Sequence, residues 1–154
     1  MHGQTKISPK SWLAFDLNVL RRLSFSSLAL PFSDQPALGT YVKRWNVRVA
    51  ANDPLQSAFT KSLAQIPDSV ETLTADDVNV VVEDAYVPGY RLQNQSLAAW
   101  FNETDAWWFD NVRRNIDRLQ TPAARAIASS LVLGTGDYVF AFKPESRELR
   151  QPLS

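Results

Sequence analysis

The segment from residue 27 to residue 53 constrains the fold more than any other part of the chain. An apolar run over 28–32 is followed by a proline-containing turn, a helical pattern and a second apolar run that ends in Asn52-Asp53. This order of elements predicts two strands, near 27–32 and 47–52, that lie parallel and are joined by a crossover helix. In Rossmann-like sites, a carboxylate about 20 residues after such an opening binds the ribose hydroxyls of a nucleoside cofactor. Asp53 is therefore the first candidate site residue.

Composition restricts the class of protein. The 154 residues, of which 45% are hydrophobic, predict one domain over 1–154 with a buried core. Lys plus Arg equal Asp plus Glu at 16 each, so nucleic-acid binding would need a local basic patch. The absence of cysteine excludes disulfides, thiolate metal sites and cysteine nucleophiles. No stretch is typical of a signal peptide or a membrane span, so we expect a cytoplasmic protein without a membrane partner.

The chain divides into two regions of different predicted structure. Residues 25–66 are expected to form a Rossmann-like half, and residues 67–142 a large helical segment. Ser8-Pro9 predicts a first helix near 9–23, ahead of both. The predicted fold class is α/β, with a partial Rossmann-like parallel sheet and a large helical segment, and the single domain over 1–154 is expected to be either complete or part of a longer one.

Several capping residues mark helices in the second region. Thr74 with Asp77 resembles a capping box, although Val78 to Val82 behind it is equally compatible with a strand. Thr121-Pro122 predicts the start of a helix that ends near Leu133. The following Gly134-Thr135-Gly136-Asp137 is interpreted as a helix end or a tight turn, and Tyr138 to Phe142 as a strand.

The turn after the first apolar run determines which ligand could bind there. A phosphate or a carboxylate approaches the backbone closely only where side chains are absent, and Gly39 is the only glycine in this stretch. Pro36 has no N–H to donate, and Asp34 would repel a phosphate. A dinucleotide is therefore disfavoured, whereas a cofactor with an ammonium group remains compatible. In the alternative interpretation this stretch merely packs a βαβ corner, and Asp53 only caps the next helix.

Four short stretches in this region resemble a known family. They are Pro31-Phe32, Ala37-Leu38-Gly39, Tyr41-Val42-Lys43-Arg44-Trp45 and Val49-Ala50-Ala51-Asn52-Asp53. Together they resemble the cofactor-binding start of bacterial adenine-specific DNA methyltransferases of the Dam-like class. Members of that class bind S-adenosylmethionine with an Asp-Pro-Phe-x-Gly-x-Gly loop, a helix, and a strand that ends in Asn-Asp. The resemblance implies a class I methyltransferase-like fold.

The chain also departs from the family pattern. Leu30 replaces the first aspartate, and Ser33-Asp34-Gln35-Pro36 replaces the glycine turn. No Pro-Pro occurs, so the family's catalytic motif is absent and no catalytic residue is assigned. The resemblance therefore implies the N-terminal part of such an enzyme with a degenerate glycine loop, inactive without a C-terminal catalytic portion or a partner chain. The cofactor-binding residues that it implies are Pro31, Phe32, Ser33, Asp34, Gly39, Asn52 and Asp53.

A second candidate surface lies on the tryptophan-rich helix of the helical segment. Trp107, Asn111, Arg114 and Arg118 are spaced to share one helix face. An exposed aromatic ring beside guanidinium groups can stack on bases and pair with phosphates, so Trp107, Arg114 and Arg118 form a candidate DNA or partner face. In the alternative, ion pairs of Asp110 with Arg114 and of Arg113 with Asp117 form an ordinary solvated surface.

No metal site is predicted, because the carboxylates at 76, 77, 83 and 84 occupy positions typical of caps and loops. Two functions therefore remain open. The first is the S-adenosylmethionine-binding portion of a DNA adenine methyltransferase-like protein. The second is a non-catalytic α/β binding or interaction protein with a degenerate cofactor site.

Overall fold

The computed structural model of the chain describes residues 10–34, 36–66, 71–83 and 91–141. The elements in chain order are α1 (Lys10–Leu20), β1 (Ser27–Leu30), α2 (Ala37–Lys43), β2 (Arg48–Ala51), α3 (Gln56–Gln65), α4 (Ala75–Val82), a 3₁₀ helix (Gln95–Ala99), α5 (Glu103–Ile116) and α6 (Pro122–Ala141). In the described residues the fold is thus a mostly helical α/β structure of six α-helices and a two-stranded parallel sheet. Ser8-Pro9, which predicted the first helix, lies outside the described residues.

The two strands pair in parallel, as the sequence predicts. Ser27 lies opposite Arg48 and Leu30 lies opposite Ala51. The crossover is α2, which ends in a turn at Asn46, where φ is 61°. Asparagine adopts this left-handed conformation more readily than most residues, so the chain can reverse direction before β2. The carboxyl ends of both strands therefore meet at one edge of the sheet.

The main core lies in the helical segment. Val112 and Ile116 on α5 are almost completely buried, and Leu119 follows them in the turn before α6. They pack with Val81 of α4 and with two alanines of α6, Ala124 and Ala128. The small alanine side chains let α6 approach α5 closely, because they occupy little volume between the helices. Residues from α4, α5 and α6 therefore share one apolar cluster.

Helix capping determines the structure of residues 78–82, for which the sequence left helix and strand open. Thr74 Oγ1 accepts a hydrogen bond from the N–H of Asp77, and the Asp77 carboxylate accepts one from the N–H of Thr74. This reciprocal capping box begins α4, so the valines that follow are helical. Thr121 likewise accepts from the N–H of Ala124 at the start of α6. The start of α5 is capped by Asn102, which accepts from the N–H of Asp105.

The end of the helical segment differs from the prediction. The helix was expected to end near Leu133 and to be followed by a strand at 138–142, but α6 continues without interruption to Ala141. Residues 134–137 therefore lie inside a helix and form neither a helix end nor a turn, and the predicted strand is wrong over 138–141. Phe142 lies outside the described residues.

Tertiary packing explains why α6 continues to Ala141. Helix α6 packs extensively along α3, and Lys61 Nζ of α3 lies 3.1 Å from Asp137 Oδ2 of α6. A Cβ atom at Gly134 would meet nothing, and one at Gly136 would be in ordinary contact with the ring of Phe109. The intrinsic cost of two helical glycines, about 1 kcal/mol each, is thus offset by packing that local sequence does not encode. Within the described part of the chain, no helix is long and apolar enough to cross a membrane.

Candidate functional site

The carboxyl ends of β1 and β2 are joined by a compact set of hydrogen bonds. The N–H of Asn52 donates to the carbonyl of Leu30 at 2.8 Å. The carbonyl of Asn52 accepts from both the N–H and the hydroxyl of Ser33, each at 3.2 Å. The turn after β1 is therefore fixed against Asn52, the residue that follows β2. The N–H of Ser33 is already used in a hydrogen bond.

Ser33 also connects this turn to α3. Its hydroxyl lies 2.7 Å from the hydroxyl of Ser62, and both side chains are buried. The sequence did not indicate this contact, since 29 residues separate the two serines. Helix α3 therefore lies against the inner side of the turn, where a glycine-rich loop would leave space.

Asp53 begins the connection to α3. It is 9% exposed, and its Oδ1 atom accepts a hydrogen bond from the N–H of Leu55 at 2.8 Å. A carboxylate can accept several hydrogen bonds, so this single bond leaves further acceptor capacity. Helix α3 has Leu55 as its N-cap and no side-chain cap, so this bond stabilises the turn before α3 and does not make Asp53 the helix cap that the alternative interpretation expected.

Gly39 is required by packing. A Cβ atom at this position would lie 2.7 Å from Ile66 Cδ1 and 3.2 Å from Leu30 Cδ1. Its missing side chain therefore allows α2, β1 and the end of α3 to approach one another. A glycine inside a helix pattern often indicates such a close approach. Gly39 is therefore a sequence signal from which the packing of α3 against α2 could have been predicted.

The remaining predicted cofactor residues are accessible. Pro31, Asp34 and Asn52 are exposed, and the ring of Phe32 is 77% exposed. These side chains surround a sheet edge that also carries Asp53. The edge thus offers an aromatic surface and two carboxylates, a combination that suits a cationic or neutral ligand better than a phosphate.

A cavity of about 460 Å³ lies between β2 and α3, and no residue of β1 lines it. Its lining includes Val47, Val49, Phe59, Ser62 and Leu63. None of the seven predicted cofactor residues lines it, although Ser62 contacts Ser33 at its border. The sequence did not identify this cavity, because its wall combines one face of α3 with an edge of β2.

The tryptophan-containing face of α5 contacts the end of α4. The side-chain amide of Asn111 donates to the carbonyl of Glu83 at 2.8 Å, and Arg114 donates to Asn111 Oδ1 at 2.8 Å. Arg118 forms an ion pair with the carboxylate of Glu83. Trp107 is partly buried at the other end of this face. Arg114 and Arg118 therefore already have partners within the chain.

The acidic side chains of α5 have structural contacts. Arg113 and Asp117 form the expected ion pair at 2.6 Å. Asp110 is buried and accepts from the backbone N–H groups of Gln93 and Asn94 at 2.8 and 3.0 Å. Among the residues that the structure describes, no group of three or more acidic or histidine side chains is arranged to hold a metal ion.

No protein-family model matches this chain, and comparisons with curated proteins and with solved structures find no match. The geometry of the chain itself and the residues that carry the resemblance are therefore the basis for a function.

Proposed function

We propose that residues 25–66 bind S-adenosylmethionine, as the cofactor-binding portion of a DNA adenine methyltransferase-like protein. One observation carries the proposal. The adjacent parallel strands bring the turn after β1, Asn52 and Asp53 to the same edge of the sheet. In open α/β sheets, ligands bind outside the carboxyl ends of the strands.

The residues present fit the cofactor in part. The remaining acceptor capacity of Asp53 suits ribose hydroxyls, and the exposed carboxylate of Asp34 suits the ammonium group of the methionine part. Phe32 offers a ring face to the adenine or the sulfonium. The backbone N–H of Ser33 donates to Asn52, so it does not serve the methionine carboxylate in this arrangement.

The bound cofactor would supply a methyl group. The chain contributes no Pro-Pro-aromatic motif to hold a target adenine. We therefore assign this unit cofactor binding alone, with the target base held by a further catalytic portion or a partner chain. DNA is the substrate class that the resemblance suggests.

A second function is favoured by a different observation. The end of α3 occupies the inner side of the turn. Ser62 contacts Ser33, and Ile66 lies where a side chain at Gly39 would be. Helix α3 thus fills the space that a glycine-rich loop would leave for a ligand. The chain would then act as a non-catalytic α/β interaction protein.

Calorimetric titration with S-adenosylhomocysteine distinguishes the two functions. The informative variant is Asp53→Asn, because its amide oxygen can still accept from the N–H of Leu55 while the charge is lost. We expect binding to the unmodified protein and a loss of at least about tenfold in the variant, the scale of one charge-assisted hydrogen bond.

Asp76→Asn is the matched control, since Asp76 lies in the first turn of α4 and is exposed. It should leave the affinity unchanged. No heat of binding at millimolar ligand, or equal losses in both variants, would refute cofactor binding and leave the interaction protein as the explanation.

A further inference from the structure

A second cavity lies between α3, α5 and α6, away from the sheet edge. It measures about 630 Å³, and we call it the α3–α5–α6 cleft. Ile116 and Ala126 form its buried floor, and the side chains of Phe59, Val132 and Leu133 are partly buried along its walls. Ligand sites in proteins are typically concave spaces of this size with predominantly apolar walls.

The polar groups of the cleft carry an excess of positive charge. Two guanidinium groups, Arg113 and Arg125, and one carboxylate, Asp117, line it. Arg113 and Asp117 pair with each other at 2.6 Å, and their side chains are 65% and 64% exposed. Arg125 is partly buried, and in the described ranges no carboxylate forms an ion pair with it. Among the residues that the structure describes, Arg125 is thus a cation of the cleft that no carboxylate neutralises.

A guanidinium group that is partly removed from water gains more from an anion than an exposed one does. We propose that the α3–α5–α6 cleft binds a small organic anion with an apolar body, of the aromatic carboxylate or sulfonate class. The negative group pairs with Arg125, and the apolar body lies against Phe59, Val132 and Leu133. Ser57, Thr60 and Ser129 also line the cleft and provide hydroxyl groups for a second polar contact.

This site is separate from the proposed cofactor site. The two share no residue, and their charges are opposite, because Asp34 and Asp53 mark the sheet edge while Arg125 marks the cleft. The proposal therefore does not depend on the binding of S-adenosylmethionine, and a cationic cofactor would not compete for the cleft.

Two fluorescent probes with closely similar aromatic bodies test the proposal. Anilinonaphthalene sulfonate carries one negative charge, whereas N-phenylnaphthylamine carries none. We expect the full-length protein to bind the sulfonate more tightly than the neutral probe. In Arg125→Gln the sulfonate should bind at least about tenfold more weakly and the neutral probe should be unaffected, since only the charge-assisted contact is lost.

Arg48→Gln is the matched control, because Arg48 lines the cavity beside β2 and carries the same charge. It should bind both probes as the unmodified protein does. Ser57→Trp places a large ring at the edge of the cleft and should weaken both probes.

Circular dichroism verifies that each variant keeps its helical content. Equal affinity of the two probes in the unmodified protein would overturn the proposal. An Arg125→Gln protein that keeps the preference for the sulfonate, or an equal loss in Arg48→Gln, would overturn it as well.

Discussion

The βαβ unit, which comprises β1, α2 and β2, and the helical segment differ in how far their residues are covered by other parts of the chain. In the helical segment, the buried amides of Asn111 and Asn115 and the carboxylate of Asp110 all bond to backbone groups around an apolar cluster. In the βαβ unit, every second residue of both four-residue strands is exposed. Parallel sheets are usually covered on both faces, so this unit has surface left for a ligand or a further element.

The two regions should therefore respond differently to a ligand at the sheet edge. In the helical segment the buried side chains of Asp110, Asn111 and Asn115 bond to the backbone, so we expect this part of it to be rigid. At its sheet edge the βαβ unit exposes Asp34 and Asn52 while Ser33 and Asp53 are buried, and α3 fills the inner side of the turn. A ligand at the sheet edge should therefore alter the βαβ unit and leave the core around Ile116 unchanged.

The largest effect is expected from Ile116→Ala. Ile116 is 2% exposed and contacts the shared cluster of α4, α5 and α6. Truncation should lower the free energy of unfolding by about 2–5 kcal/mol, from lost burial and the cavity that is left. Urea denaturation measures this change. Leu131→Ala, at an exposed position of α6, is the control and should cost less than about 0.5 kcal/mol. Similar costs for both would show that the helical segment is as open as the βαβ unit.

A smaller effect is expected from Gly39→Val in the βαβ unit. The added side chain would collide with Ile66 and Leu30, and overpacking of this kind costs about 1–3 kcal/mol. Ile66→Val removes the Cδ1 atom that lies closest, so the double variant should recover part of the loss. A double-mutant cycle from urea denaturation measures the coupling. Additive effects would show that α2 and α3 do not touch at this point in solution.

The smallest effect concerns the capping box of α4. Hydrogen bonds from the backbone N–H and the hydroxyl of Thr74 lower the pKa of Asp77 below its usual value of 3.8. A carboxyl whose pKa is lower in the folded state stabilises it above the unfolded pKa, and this contribution disappears as the pH falls through the folded pKa. Unfolding at neutral pH and near ~pH 3 should therefore differ less in Asp77→Asn than in the unmodified protein. An identical acid sensitivity would contradict a capping role in solution.

The sequence predicted the elements that local patterns determine. Two apolar runs separated by a helical pattern were sufficient for the parallel pair β1 and β2, and Thr74 with Asp77 marked the start of α4. The end of α6 was missed because the glycines and the aromatic and β-branched residues near 138 favour a strand locally. The contacts with α3 that outweigh this preference come from a distant segment, as the pair of Lys61 with Asp137, 76 residues apart, illustrates.

The candidate sites show the same limit. The sequence placed Asn52 and Asp53 at the edge of a sheet, but it did not indicate that Ser62 would reach Ser33. It also assigned Asn111 to an exposed face, whereas this residue is buried against Glu83. Whether a polar side chain lies in solvent depends on which distant backbone group needs a hydrogen-bond partner, and periodicity does not encode that choice.

The buried polar side chains of α5 have a practical consequence for protein engineering. Asn115 and Asn111 hold the carbonyls of Val81 and Glu83, and Asp110 holds the N–H groups of Gln93 and Asn94. The chain is thus anchored to one helix at both 83 and 93. A redesign of α5 should therefore keep these three side chains, because a buried donor or acceptor that is left without a partner costs about 1–3 kcal/mol.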